Sequence, residues 1–315
     1  KTYSKELWEE FKKIDQYRYK SYVGWKYKPI SLKYINIKGV YSNRLSSGES
    51  LNNSTWFFGG STMFGSGAKD YGTIPSIYNL KTNNLVFNFG VGGWDSSQSL
   101  IQLIHALGDG FSPKRVVFYD GVNDIENGCR SDLKEVPSHG RENTISTAIR
   151  YRRNFSFQLK NFVLEPYNTL LRKVKKNGFD QSLGEEFECH KNLAKADKVA
   201  SHLVNNWYTA YLITRDRNID FKAILQPTLF SAGAKSDYFI DDWKSKLPLR
   251  EKQYNTVYPI VLNKLKNRCT SDKIFCNSFL NGSNWIKSDA KVFLDHCHIT
   301  EEGNGMIVEE LIPKL

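Results

Sequence analysis

Apolar positions follow two rhythms along this chain. From residue 55 onward, short apolar runs recur between longer stretches with helical spacing. Runs at 55–58, 85–89, 115–119, 221–225 and 291–294 predict five strands. Helical spacing predicts helices near 73–80, 97–107, 192–217 and 250–267. A last helix should follow Thr300, a good N-cap, with Glu301 and Glu302 suited to its first turn. Strand–helix alternation of this length implies a parallel sheet covered on both faces. The predicted fold is therefore α/β, a three-layer α/β/α sandwich around a five-stranded parallel sheet of flavodoxin-like order. Right-handed crossovers would place every strand C-terminus on one edge.

Two regions break the rhythm. Residues 1–50 carry a charged, aromatic stretch at 4–19 that predicts one helix, then an extended, loop-like segment over 22–51. They read as an N-terminal extension that wraps the core or leads from an anchor. Residues 51–315 form the main domain, and 128–190 read as a long, basic, mostly helical insertion between the third and fourth strands.

Composition narrows the classes. With 315 residues, 40% hydrophobic and 14% aromatic, the chain can bury a full core and is not a disordered polymer. No run approaches the roughly 20 apolar residues of a membrane span. The net charge of +11 is spread as scattered lysine and arginine with no long basic run. No nucleic-acid motif is present, so a nucleic-acid partner is not expected. Of the five cysteines, Cys129, Cys189, Cys269, Cys276 and Cys297, none form a Cys-x-x-Cys. Cys269 and Cys276 flank a short polar segment that a disulfide could close in an oxidising compartment. Reduced cysteines in a cytosolic chain are the alternative.

Four motifs follow predicted strands and should meet at one edge. Phe58-Gly59-Gly60-Ser61-Thr62-Met63-Phe64-Gly65 presents a serine in a tight strand-to-helix turn, with its own N–H facing the reacting centre. Asn88-Phe89-Gly90-Val91-Gly92-Gly93-Trp94 supplies glycines that permit close backbone approach and a free N–H. Gly121-Val122-Asn123-Asp124 places a side-chain amide, a good oxyanion donor, at a strand end. In Asp295-His296-Cys297-His298, a carboxylate three residues before a histidine can hold one ring nitrogen and leave the other for a serine.

Competing readings fit less well. Gly60 and Gly65 have phosphate-loop spacing, but Ser66 stands where lysine is needed. The Gly-x-Ser-x-Gly elbow fails at Met63. Adjacent residues such as His296, Cys297 and His298 rarely all reach one metal, so no metal site is assigned. Trp94 and Gln226, both after strands, are candidate substrate-pocket residues, with packing and turn roles as their alternatives. Taken singly, Ser61 or Asn123 could be no more than a cap.

Together the four blocks resemble those of the SGNH (GDSL-like) hydrolase superfamily over about residues 56–311. The Gly-x-Asn-Asp and Asp-x-x-His blocks match as they stand. The first reads Gly-Gly-Ser where many members have Gly-Asp-Ser. The chain also resembles a bacterial subgroup with Phe-Gly-Gly-Ser-Thr, Phe-Tyr-Asp-Gly-Val-Asn-Asp and Cys-His-x-Thr motifs, often tethered outside the inner membrane. The resemblance implies Ser61 as nucleophile, His298 as base and Asp295 as its orienting partner. It implies an oxyanion hole from the Ser61 and Gly93 N–H groups and the Asn123 side chain. No cofactor is implied. The expected activity is a serine-dependent ester hydrolase, a carbohydrate esterase or deacetylase acting through an acyl-enzyme, with an acylated saccharide or other small ester as substrate. Polysaccharide O-acetyltransfer and a catalytically idle binding or assembly module are the alternatives. The expected location is periplasmic or extracytoplasmic, with a membrane tether outside this chain.

Overall fold

A computed structural model describes residues 3–14, 17–47, 50–139, 141, 186–239 and 241–315. The chain opens with the amphipathic helix α1 (Tyr3–Ile14) and a hairpin of β1 (Tyr17–Lys20) and β2 (Gly24–Tyr27). Three short strands follow: β3 (Ile30–Ser31), β4 (Asn36–Lys38) and β5 (Asn43–Arg44). The alternating part then runs β6 (Thr55–Gly59), α2 (Ser61–Phe64), α3 (Ile74–Thr82), β7 (Val86–Asn88), α4 (Ser96–Gly108), β8 (Arg115–Asp120) and α5 (Val122–Gly128). It continues with α6 (Leu193–Asp216), β9 (Asp220–Leu225), α7 (Asp241–Ser271), α8 (Lys273–Cys276), β10 (Phe279–Asn281) and α9 (Glu301–Leu311).

The main sheet has the order β10-β9-β8-β6-β7-β5-β4-β3. Its first five strands are mutually parallel, and read in chain order they give the flavodoxin-like arrangement. The last three run antiparallel and extend the sheet beyond β7. Side-chain alternation explains the layers. Trp56, Phe58, Val116, Phe118 and Phe221 face one side, where Leu103 of α4, Leu203 and Trp207 of α6 and Val257 of α7 pack against them. Phe57, Val117, Tyr119 and Ile224 face the other, against Ile74 and Tyr78 of α3 and Ile307 and Leu311 of α9. Every residue of β6 is buried, as a central parallel strand requires. Thr300 caps α9 by accepting from the Gly303 N–H, as its sequence position predicts.

Three elements differ from the sequence expectation. The fifth parallel strand is β10, not residues 291–294. That stretch turns back on itself instead: Leu294 N–H bonds His298 O, and Thr300 N–H bonds Val292 O. The first helix stops at Ile14, because Tyr17-Arg18-Tyr19-Lys20 alternates with strand period and pairs with β2. The segment after residue 22, read as extended and loop-like, is extended but contributes three strands to the main sheet. Of the expected insertion, residues 140 and 142–185 lie outside the described residues. Its ends are joined by the Cys129–Cys189 disulfide and an Arg130–Phe187 bridge.

Candidate active site

The C-terminal ends of β6, β7 and β8 bring three of the four motifs together, and the loop before α9 brings the fourth. Ser61 follows β6 as the first residue of α2, so its N–H has no carbonyl one turn back. The short helix is held from behind. The buried Arg44 guanidinium of β5 donates to the Phe64, Gly65 and Ala68 carbonyls and pairs with Asp70 at 2.9 Å. Asn88, at the end of β7, donates to Met63 O at 2.9 Å.

His298 Nε2 lies 2.7 Å from Ser61 Oγ, and His298 Nδ1 lies 2.6 Å from Asp295 Oδ2. A carboxylate can only accept, so Nδ1 carries the proton and Nε2 is free to accept from the serine. Asp295 Oδ1 also accepts from the Cys297 and His298 backbone N–H groups at 2.8 and 2.7 Å. These bonds explain why the loop turns at residue 295. Burial alone would raise the Asp295 carboxyl and lower the His298 imidazole. In both, the mutual charge and hydrogen bond outweigh burial, so Asp295 sits well below the usual carboxylate range and His298 above its ordinary value.

Asn123 Nδ2 donates to Trp94 O at 2.7 Å. An amide nitrogen has two hydrogens, so one remains for another acceptor. A Cβ on Gly60 would collide with Asn123 Nδ2. Gly93 occupies the left-handed region (φ +79°) in a turn closed by Trp94 N–H to Val91 O.

Trp94 is closed to solvent among the described residues. It is fully buried in the N-terminal cluster with Leu7, Trp25 and Phe64, and its indole N–H donates to Trp25 O at 3.0 Å. Gln226 is closed to solvent too; its carbonyl accepts from Tyr258, and its Nε2 has no partner among the described residues. His296 points away from Ser61 towards Glu126 (3.4 Å), which also accepts from Tyr254.

A second acidic group, missed in the sequence as a cluster, lies behind the Gly92–Gly93 turn. Asp95 caps α4, Asp124 accepts from Ser96 N–H and Oγ, and Asp120 accepts from Trp207. Burial raises all three carboxyls, Asp95 to about 7. Among the described residues, Asp295, Cys297 and His298 place possible metal-ligand atoms within 4.8 Å of one another. Two of them already bond each other, and burial pushes the Cys297 thiol far up, against the thiolate a metal needs.

No protein-family model matches the chain, and no curated protein matches it. Solved structures similar to it include a lipolytic protein of the G-D-S-L family from Veillonella parvula (11% identity, 82% of this chain and 96% of that one, TM-score 0.44). Another from Desulfitobacterium hafniense has 13% identity, 84% and 100% coverage and a TM-score of 0.43. An acetyl xylan esterase from Butyrivibrio proteoclasticus has 12% identity, 86% and 64% coverage and a TM-score of 0.41.

Proposed function

We propose that this protein is a serine-dependent ester hydrolase of the SGNH type. The observation that carries the reading is the unbroken hydrogen-bonded line Ser61–His298–Asp295. A serine hydroxyl is a weak nucleophile until a base takes its proton. In the proposed cycle Ser61 Oγ attacks the acyl carbonyl carbon as its proton passes to His298 Nε2. The Ser61 and Gly93 N–H groups and the second Asn123 amide hydrogen stabilise the oxyanion. Collapse breaks the bond to the alcohol, which leaves with the proton from His298. Water then attacks the acyl-serine, gives a proton to His298 and releases the acid, with the proton returning to Ser61. Asp295 fixes the ring and balances the imidazolium charge without taking the proton.

The proposed ester is an acylated saccharide or another small ester. A sugar hydroxyl replacing water at the last step would make the same centre an O-acetyltransferase. An idle binding module would have no use for a serine bonded to a carboxylate-held histidine. Two disulfides, Cys129–Cys189 and Cys269–Cys276, support an extracytoplasmic location. Among the described residues no helix is long and apolar enough to cross a membrane.

Ser61→Ala should abolish turnover of a short-chain aryl ester and leave the melting temperature unchanged. Undiminished turnover would remove Ser61 from the reaction. Running the wild-type protein with and without a saccharide acceptor separates hydrolysis from transfer.

A further inference from the structure

The N-terminal hairpin is bonded directly to the turn assigned to the oxyanion hole. Trp25, on β2, donates its indole N–H to Gly92 O at 3.0 Å, in a buried contact across 67 residues of sequence. Trp94 returns the bond by donating to Trp25 O at 3.0 Å, and Gln98 donates to Val23 O at 2.7 Å. The Gly92 carbonyl and the Gly93 N–H belong to one planar peptide group and point in opposite directions. A donor that fixes that carbonyl therefore fixes the direction of the Gly93 N–H.

The turn needs such a restraint. Gly92 and Gly93 have no Cβ to limit rotation, and Gly93 is already at positive φ. The packing fits the same role. The Trp25 ring lies 3.4 Å from where a Gly93 Cβ would stand, and a Cβ on Gly92 would meet Tyr27 Oη at 2.5 Å. Trp25 is itself 4% exposed and so does not touch substrate.

We infer that Trp25 is a positioning residue: its indole N–H locks the Gly92–Gly93 peptide so that the Gly93 N–H meets the oxyanion. The bond also polarises that peptide and strengthens the N–H as a donor. Through Trp94, whose carbonyl accepts from Asn123, the same clamp reaches the second oxyanion donor. The β1–β2 hairpin thus positions the oxyanion turn from behind. This inference rests on the ester-hydrolase reading of Ser61.

Trp25→Phe keeps a ring and removes the N–H. Full loss of one oxyanion donor lowers kcat by a factor of about 100–1,000, so loss of its aim should lower kcat about tenfold, with KM for an aryl acetate unchanged. Benzothienylalanine at position 25, which replaces only the N–H by sulfur, should give the same kcat loss and guards against misfolding of the phenylalanine variant. Leu7→Ala, on α1 in the same buried cluster and with no bond to the Gly92–Gly93 peptide, should lower the melting temperature and leave kcat alone. Fluorophosphonate labelling of the wild-type protein tests the underlying reading separately. If Ser61 is not labelled, that reading falls and the inference with it. If Ser61 is labelled but the benzothienyl variant keeps wild-type kcat, or Trp25→Phe behaves like Leu7→Ala, the positioning role alone is overturned.

Discussion

Asp295 and Asp95 are both largely buried carboxyls near the C-terminal edge of the parallel strands, yet the protein drives them in opposite directions. Burial raises both. Asp295 then meets the His298 ring and two backbone N–H groups, and it ends as a strong anion. Asp95 meets the charge of Asp124, which adds to burial, and backbone N–H bonds offset only part of the rise, to about 7. The difference lies in the company each keeps. A carboxylate that must balance a transient imidazolium is given cationic and N–H partners. One that only caps a helix can share its neighbourhood with two other acids and hold a proton.

The largest effect should come from removing the base that this anion supports. His298→Ala should lower kcat by a factor on the order of a million, while His296→Ala, which faces Glu126, should keep most of the turnover. The wild-type rate should rise with pH through a single ionisation. Since Asp295 raises His298, its midpoint should lie above the ordinary histidine value of about 6.5. A dead His296→Ala variant would reassign the triad.

Next in size is the direct contrast between the two acids. Asp295→Asn should lower kcat by about 10,000-fold, because an amide cannot hold the ring in its working tautomer. Asp95→Asn should barely alter kcat, since asparagine caps a helix as well. It should instead change the pH dependence of stability. A carboxyl raised in the folded state binds more protons there than in the unfolded chain, so stability falls as pH rises from about 4 to about 7. Melting curves across that range should flatten in Asp95→Asn. An unchanged slope would mean that Asp95 is ionised throughout.

Asn123→Ala should lower kcat by on the order of a hundredfold. A loss confined to KM would make Asn123 a substrate contact instead. The smallest expected effects concern the disulfides, which lie away from this contrast. In the chain-entropy picture, the bridge spanning 60 residues contributes about 4 kcal/mol and the one spanning 7 about 2.5 kcal/mol. Denaturant titration of the two double Cys→Ala variants checks the ranking.

Much of the Ser61 edge was legible in the sequence for a local reason. A strand end that must present a side chain in a crowded turn leaves glycines beside it, as at Gly59-Gly60-Ser61, Gly92-Gly93 and Gly121. Asp295 and His298 were legible because their bond closes a three-residue turn. What escaped the sequence depends on distant contacts. The fifth strand was placed at 291–294 because that run is apolar, but Val292 and Phe293 pack in the cluster that holds α9, and Leu294 is exposed. Trp94 read as a pocket residue from its place after Gly93, whereas the partner that buries it, Trp25, lies 69 residues earlier. The Cys129–Cys189 pairing likewise joins the two ends of a long segment, which no local spacing reveals.

The central claim is that Ser61 carries the acyl group during turnover. The most direct measurement is the mass of the protein quenched rapidly while it hydrolyses an aryl acetate. One acetyl group should appear on the peptide containing Ser61, and none should form in Ser61→Ala. An acetyl group on another residue, or an adduct that persists in Ser61→Ala together with full turnover, would contradict the account.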